Sequence, residues 1–186
     1  MKIILANPRG VCAGVGRAIE IVNKVLEQKG PPVYVKHEVV HNQTVVDELR
    51  ELGAIFVEDI SEIPPGATVI YSAHGVSKEV QDQSGENNLD VFDATCPLVS
   101  KVHSEVELHS RAGRDCVLIG HKKHPEVEGT MGQYDSSRGG QIYLVQSRQE
   151  AEEIVVQDPN NISFVTQTTL SVDDTQEIIK VLKKRF

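Results

Sequence analysis

The sequence predicts an α/β protein built from two similar small domains, each a parallel sheet with helices on both faces. Short apolar runs typical of strands alternate with segments of helical periodicity along the whole chain. This pattern restarts about halfway, within or just after a helix that begins at Pro97. The length of 186 residues is enough for one large or two small hydrophobic cores. We therefore expect a first domain over residues 1–97 and a second over residues 98–186.

In the first half, the strands are the short runs rich in branched apolar residues, predicted over residues 2–6, 33–36, 54–57, 68–72 and 89–93. The helices follow 3.6-residue periodicity and are predicted over residues 15–29, 44–52 and about 77–83. Gly30 and Gly53 are placed to end the first two helices, and Asn42 or Gln43 to cap the second.

The second half repeats this pattern. Strands are predicted over residues 116–120, 142–145 and 162–165. Helices are predicted over residues 97–112, 126–131, 147–155 and 172–185. Ser147 and Ser171 are the expected N-caps of the last two helices, because a serine hydroxyl can accept one of the first backbone N–H groups.

Composition excludes several classes of protein. A formal net charge of −8 and a pI near 5.4 argue against broad binding to nucleic acid or to an anionic membrane surface, which calls for a basic face. We see no apolar run long enough to span a bilayer and no leader at the start. Three cysteines without a disulfide pattern fit a reducing cytosol, so a cytoplasmic location is expected.

Two cysteines occupy equivalent positions. Cys12 lies in the glycine-containing turn of residues 7–16, between an apolar run and an amphipathic one, and Cys96 lies between the strand ending at Asp93 and the helix starting at Pro97. The free N–H groups and the positive dipole end of a helix stabilise a thiolate. Two thiols in matching turns suggest one shared site.

Other polar residues also follow the carboxyl ends of predicted strands, where parallel sheets bind ligands. They are His41, His74, His121, His124, Thr166 and Thr168. Each has a structural interpretation too: a lone cysteine is commonly a small buried apolar residue, and a histidine or threonine can be a helix cap. Glu126 can be an ordinary acid of a first helical turn or a positioned proton donor.

The donor set narrows the chemistry without deciding it. Thiolates in glycine turns favour iron–sulfur or zinc, and imidazoles at helix starts favour phosphate. A zinc site would need ligands at short spacing, such as CxxC or HExxH, and the sequence has neither. Widely separated single cysteines instead suit a cluster held between domains.

Several long segments resemble the family of 4-hydroxy-3-methylbut-2-enyl diphosphate reductases. The segments are residues 6–15 (ANPRGVCAGV), 37–42 (HEVVHN), 72–77 (SAHGVS), 92–99 (FDATCPLV), 119–121 with 124–130 (IGH and HPEVEGT) and 166–171 (TQTTLS). They run from one end of the chain to the other.

The resemblance implies a [4Fe–4S] cluster that removes the allylic hydroxyl of the substrate as water, with two electrons and two protons. The products would be isopentenyl and dimethylallyl diphosphate, in the methylerythritol phosphate route to isoprenoids. By motif, the cluster ligands would be Cys12 and Cys96 and the proton relay Glu126. The diphosphate would be held by His41, His74 and His124, with Thr168 near the hydroxyl. A ferredoxin or flavodoxin would donate the electrons.

The chain also departs from the family, which has three similar domains and takes its third cysteine ligand from the third. We therefore expect a missing C-terminal domain as a partner. Cys116 is no replacement, because it begins a strand and lies at the opposite edge of the sheet. A truncated, non-catalytic two-domain module is the alternative function. A cysteine- or zinc-dependent hydrolase using His124 and Glu126 is a more distant one.

Overall fold

The computed structural model describes residues 3–4 and 10–186. The predicted strand over residues 2–6 therefore falls largely outside the described residues. The helices are α1 Ala13–Lys29, α2 Gln43–Glu51, α3 Lys78–Glu86, α4 Pro97–Arg111, α5 Pro125–Met131, α6 Arg148–Glu153 and α7 Val172–Arg185. The strands are β1 Val33–Lys36, β2 Ala54–Val57, β3 Thr68–Tyr71, β4 Asp90–Asp93, β5 Asp115–Ile119, β6 Ile142–Val145 and β7 Ile162–Thr166.

The first sheet has the strand order β2-β1-β3-β4, and its paired strands are all parallel. Successive side chains point to opposite faces, so the apolar residues of β1 and β3 divide between two cores. Val35 and Ile70 pack with α1 and α2, whereas Val69 and Tyr71 pack on the other face. Covering both faces explains why these strands are largely apolar.

The second sheet has the order β6-β5-β7 and is also parallel. Every residue of the central strand β5 is buried. Val117 and Ile119 face the core shared with α6 and α7, and Leu118 faces the core shared with α4 and α5. Two parallel sheets with helices on both faces confirm the predicted fold class.

Helix starts agree closely with the sequence. Asn42, Ser147 and Ser171 cap α2, α6 and α7, each accepting a backbone N–H with its side-chain oxygen. Helix ends agree less well, because α6 stops at Glu153, two residues before the predicted end. Val155 is 83% exposed there, so its side chain gains no burial that would favour continuing the helix.

The edge of the second sheet that bears the amino ends of its strands is organised by Asp115. This buried carboxylate accepts backbone N–H groups from Gln141, Gln157 and Asp158, at 2.9, 2.5 and 2.9 Å. It therefore ties the segments that precede β6 and β7 to the start of β5. Its neighbour Cys116 is fully buried in the core, as expected.

The two sheets lie on either side of α4 in the chain, and the domain boundary at residue 97 stays a prediction. Over residues 3–4 and 10–186, no helix has the length and apolar character needed to cross a membrane.

Candidate functional site

One cavity collects residues that follow strands of both sheets. It has a volume of about 520 Å³, and its wall is largely apolar. Its polar lining consists of Cys12, His41, Asn42, His74, Cys96, His124, Glu126, Thr168 and Thr169. All seven site residues predicted from the sequence therefore line one cavity, while His121 lines a different one, beside Ser147 and Ser171.

Both cysteines of the cavity are N-caps. Cys12 caps α1, with its Sγ 3.5 Å from the N–H of Val15, and Cys96 caps α4, which begins with Pro97. The backbone carbonyl of Cys12 accepts from Gly16 at 2.9 Å, and that of Cys96 accepts from Ser100 at 3.0 Å. These helical hydrogen bonds therefore fix the backbone position of each cysteine at the start of its helix.

The two thiol groups both lie close to Gly14. A Cβ added to Gly14 would lie 2.6 Å from the Sγ of Cys96 and 3.9 Å from the Sγ of Cys12. Both sulfurs are thus within 4 Å of one point that any larger residue would fill. Arg17 holds the two turns together, since its Nη1 donates to the carbonyl of Thr95 at 2.9 Å.

Soft thiolates with free space beside them suit an iron–sulfur group, so the residues present fit the cofactor that the resemblance implies. They form only part of a ligand set. Within the described ranges, no group of three or more His, Cys, Asp or Glu is arranged to hold a metal ion.

Three imidazole rings cluster in the same cavity. The ring centroids of His41 and His74 are 4.7 Å apart, and each is 5.6 Å from that of His124. They come from three separate segments: the loop after β1, the loop after β3 and the start of α5. The cluster therefore exists only in the folded chain.

Burial keeps two of these rings neutral at neutral pH. Burial, together with charge repulsion from neighbouring His41 and His124, lowers the pKa of His74 to about 4. Burial also lowers the pKa of His124, whose Nδ1 accepts the N–H of Glu126 at 3.2 Å. An anion placed among the rings would reverse this effect, because it stabilises imidazolium.

A buried carboxyl faces the rings. Glu126 is 2% exposed, and its two oxygens accept from the N–H and the hydroxyl of Thr168, at 2.6 and 3.0 Å. Burial raises the pKa of Glu126, and the hydrogen bonds from Thr168 oppose that rise without cancelling it. Such a carboxyl can carry a proton at a higher pH than an exposed one.

Three supporting residues were missed in the sequence. Ser72 lies with its Oγ 3.2 Å from the Nδ1 of His74. Gln167 accepts the N–H of His121 at 2.9 Å and donates to Thr169 at 3.0 Å. Gln133 donates to the carbonyl of Val76, and no motif in the sequence marks it. The first two lie within the segments that resemble the family, and that position was the available indication of their role.

Burial also separates Cys116 from the other thiols. It is fully buried, and burial raises the pKa of its thiol to about 11, whereas Cys12 is exposed and Cys96 partly exposed. Its position at the amino end of β5 confirms that it packs in the core.

The fold and the site together define an α/β protein with a thiol- and imidazole-lined cavity at the carboxyl ends of its parallel strands. A sequence model of the family described as "LytB protein" matches residues 3–186. The chain therefore belongs to the LytB family.

Curated relatives agree with this assignment. Proteins named 4-hydroxy-3-methylbut-2-enyl diphosphate reductase, from Ectopseudomonas mendocina and Methylococcus capsulatus, are 61% and 62% identical over all 186 residues. The chain spans 59% of the length of each of these relatives.

Solved structures share the fold. The E-1-hydroxy-2-methyl-but-2-enyl-4-diphosphate reductase of Plasmodium falciparum superposes with a TM-score of 0.89 and 42% identity, over 97% of this chain and 55% of that one. A second solved structure is that of (E)-4-hydroxy-3-methyl-but-2-enyl diphosphate reductase, described as the terminal enzyme of the non-mevalonate pathway. It has a TM-score of 0.82 and 32% identity, over 98% of this chain and 64% of that one.

Proposed function

We propose that residues 1–186 supply most of the active site for reductive removal of the allylic hydroxyl of 4-hydroxy-3-methylbut-2-enyl diphosphate. The substrate takes up two electrons and two protons, the C–O bond breaks, and water leaves with isopentenyl or dimethylallyl diphosphate as product. The observation that carries the proposal is the convergence of two capping thiols, three imidazoles and a buried carboxyl on one cavity.

The imidazoles are assigned to the diphosphate. His41, His74 and His124 bring their rings together from three separate segments, and burial favours the neutral form of His74 and His124. A bound diphosphate would draw protons onto the rings and gain charge-assisted hydrogen bonds. The apolar wall formed by Val40, Ala73 and Val99 would then face the allyl group and exclude water.

The thiols of Cys12 and Cys96 are assigned as two ligands of a [4Fe–4S] cluster. When bound, the cluster would supply the electrons and a Lewis-acidic site for the hydroxyl oxygen. The third thiolate must come from outside this set, because Cys116 is buried at the far edge of the second sheet. A small iron–sulfur or flavin protein of the cytoplasm, such as a ferredoxin or flavodoxin, is the proposed electron donor.

Glu126 is assigned as the proton donor to the leaving hydroxyl or to the allyl unit. Its buried carboxyl holds a proton more readily than an exposed one, and Thr168 fixes its orientation with two hydrogen bonds. The Thr168 hydroxyl can turn toward the substrate once Glu126 is protonated, because a carboxylic acid accepts less strongly than a carboxylate.

A second candidate is a module that binds diphosphate without a cluster. The observation that favours it is that, among the residues the structure describes, only two neighbouring thiols are placed as cluster ligands. The two candidates share the histidine site and differ only in whether iron is retained.

The test is anaerobic reconstitution with iron and sulfide, followed by absorbance and EPR. Residues 1–186 would be compared with a fusion that adds the remaining C-terminal part of the Methylococcus capsulatus relative. We expect a four-iron cluster and turnover with a reduced donor in the fusion only. Cys12→Ser should abolish the cluster, and Cys116→Ala is the matched control that should retain it. A fusion without a cluster would favour the second candidate.

A further inference from the structure

The start of α5 and the loop after β3 carry site residues from opposite halves of the chain, and they touch directly. His124 caps α5 and Glu126 lies in its first turn, while His74 precedes the loop segment Gly75–Ser77. The other end of α5 packs against that same segment.

Two hydrogen bonds join these elements. The side chain of Gln133, which is 5% exposed, donates from Nε2 to the carbonyl of Val76 at 2.6 Å. The backbone N–H of Lys78 donates to the carbonyl of Gly132 at 3.1 Å. Both bonds run between the segment that follows His74 and the end of the helix that carries Glu126.

Two glycines let the backbones approach this closely. A Cβ on Gly129 would lie 3.2 Å from the carbonyl oxygen of Gly75, and a Cβ on Gly132 would lie 2.2 Å from the Cβ of Ser77. Gly129 is one helical turn beyond Glu126, so any displacement at this contact moves the carboxyl as well. A tightly packed contact of this kind resists small shifts.

We propose that Gln133 is a positioning residue which, together with Gly129 and Gly132, sets the distance between His74 and the His124–Glu126 pair. The inference rests on the proposed function for its consequence, diphosphate binding, but its structural part stands alone. Gln133 lies outside the cavity and acts only through the helix on which His124 and Glu126 sit.

The test uses two substitutions that disturb the contact in different ways. Gln133→Met removes the donor with little change in length, and Gly129→Ala inserts a methyl group against Gly75. Gly85→Ala is the matched glycine control, because that helical glycine has nothing within 4 Å of an added Cβ. Ser163→Ala is the matched hydrogen-bond control, since its Oγ donates to the carbonyl of Asp115 at the far edge.

The first measurement needs no ligand. The N–H of Thr168 donates to Glu126, so its hydrogen-exchange rate in NMR reports where the carboxyl lies. We expect about tenfold faster exchange at Thr168 in both test variants, the factor that corresponds to one lost hydrogen bond. The amide of Val117 in β5 should not change, which separates a local shift from general destabilisation.

The second measurement is the affinity for inorganic diphosphate by calorimetry. Both test variants should bind about tenfold more weakly than the original chain, and both controls should bind equally well. Unchanged exchange at Thr168, or equal slowing or acceleration at Thr168 and Val117, would overturn the positioning role. If the original chain does not bind diphosphate, the histidine assignment is wrong, and the exchange result alone still decides the role of Gln133.

Discussion

At the scale of single residues, the site combines groups whose protonation states are set by burial rather than by ion pairs. His74 and Glu126 have pKa values shifted in opposite directions, one below and one above its ordinary value. Burial penalises the charged form of each, so both are favoured as neutral groups. This arrangement makes the cavity responsive to an anionic ligand.

Removing the charge of Glu126 should stabilise the chain at high pH. Because the folded-state pKa is raised, the native state binds more protons than the unfolded state above about pH 4.5, and stability falls as pH rises toward the folded pKa. Glu126→Gln lacks this loss. We therefore expect its unfolding free energy, relative to the original chain, to increase between pH 5 and pH 8 in urea titrations. A difference that shrinks with pH would contradict the raised pKa.

The contribution of His74 to stability should have the opposite pH dependence, with the loss occurring as the pH falls. Its folded pKa of about 4 is below the ordinary value of 6.5, so the stability it contributes is present above pH 6.5 and is lost as pH falls toward 4. His74→Gln should show a flatter decline of thermal stability over this range. The same measurement on His109→Gln gives a comparison, because His109 is a half-buried histidine near the end of α4 whose pKa is also lowered by burial.

Two of the three cysteines should react with a thiol reagent in the folded protein, and one should not. Thiolates are the reacting species, so the buried Cys116, with its pKa raised to about 11, should resist a disulfide reagent in the folded protein. Cys12 and Cys96 are accessible and should react. We expect two thiols to be titrated under native conditions and three in denaturant. Three rapid reactions in the native state would show that Cys116 is not held in the core.

At the scale of elements, Asp115 should contribute to the stability of the fold without contributing to ligand binding. Asp115→Asn removes acceptor capacity from a buried side chain that binds three backbone N–H groups, and it should reduce the unfolding free energy by about 1–3 kcal/mol. Because these contacts lie at the edge of the second sheet away from the cavity, affinity for diphosphate should be unchanged. Equilibrium unfolding and calorimetry on the same variant check both parts. A loss of affinity would mean that the two edges are coupled.

Helix starts and strand positions were predictable from sequence because they depend on short-range chemistry. Ser171 caps α7 through the N–H of Asp174, three residues away, and the apolar runs of β1 and β6 have the expected bounds. The gathering of polar residues at one edge also followed from the parallel order of strands. These features need no knowledge of how the two halves pack.

The contacts between distant segments could not be predicted in the same way. The 5.6 Å separation of His74 and His124 depends on the packing of Gly129 against Gly75, and neither glycine differs locally from one in an ordinary turn or helix. The predicted end of α6 was wrong by two residues. Burial in the tertiary structure, and not local periodicity, decides where a short helix stops.

At the scale of the whole molecule, the two sheets should unfold together. Gln133 and Lys78 form hydrogen bonds across the halves, and the ring of His103 in α4 packs against Gly75, so opening one half alone would break these contacts. Regional hydrogen exchange should give the same free energy of global opening for β1 and β3 as for β5. A lower value in either sheet would show two independent folding units.

The capping positions of Cys12 and Cys96 have a consequence for how the mature protein is assembled. Each cysteine is held by its own helix, through backbone bonds that involve no ligand. If the two thiols hold a cluster as proposed, α1 and α4 can form before iron is bound, and loading would follow their folding. Until then both sulfurs would be open to oxidants and to thiophilic ions such as cadmium or arsenite. On that proposal, cells under metal or oxygen stress should accumulate a folded but unloaded form.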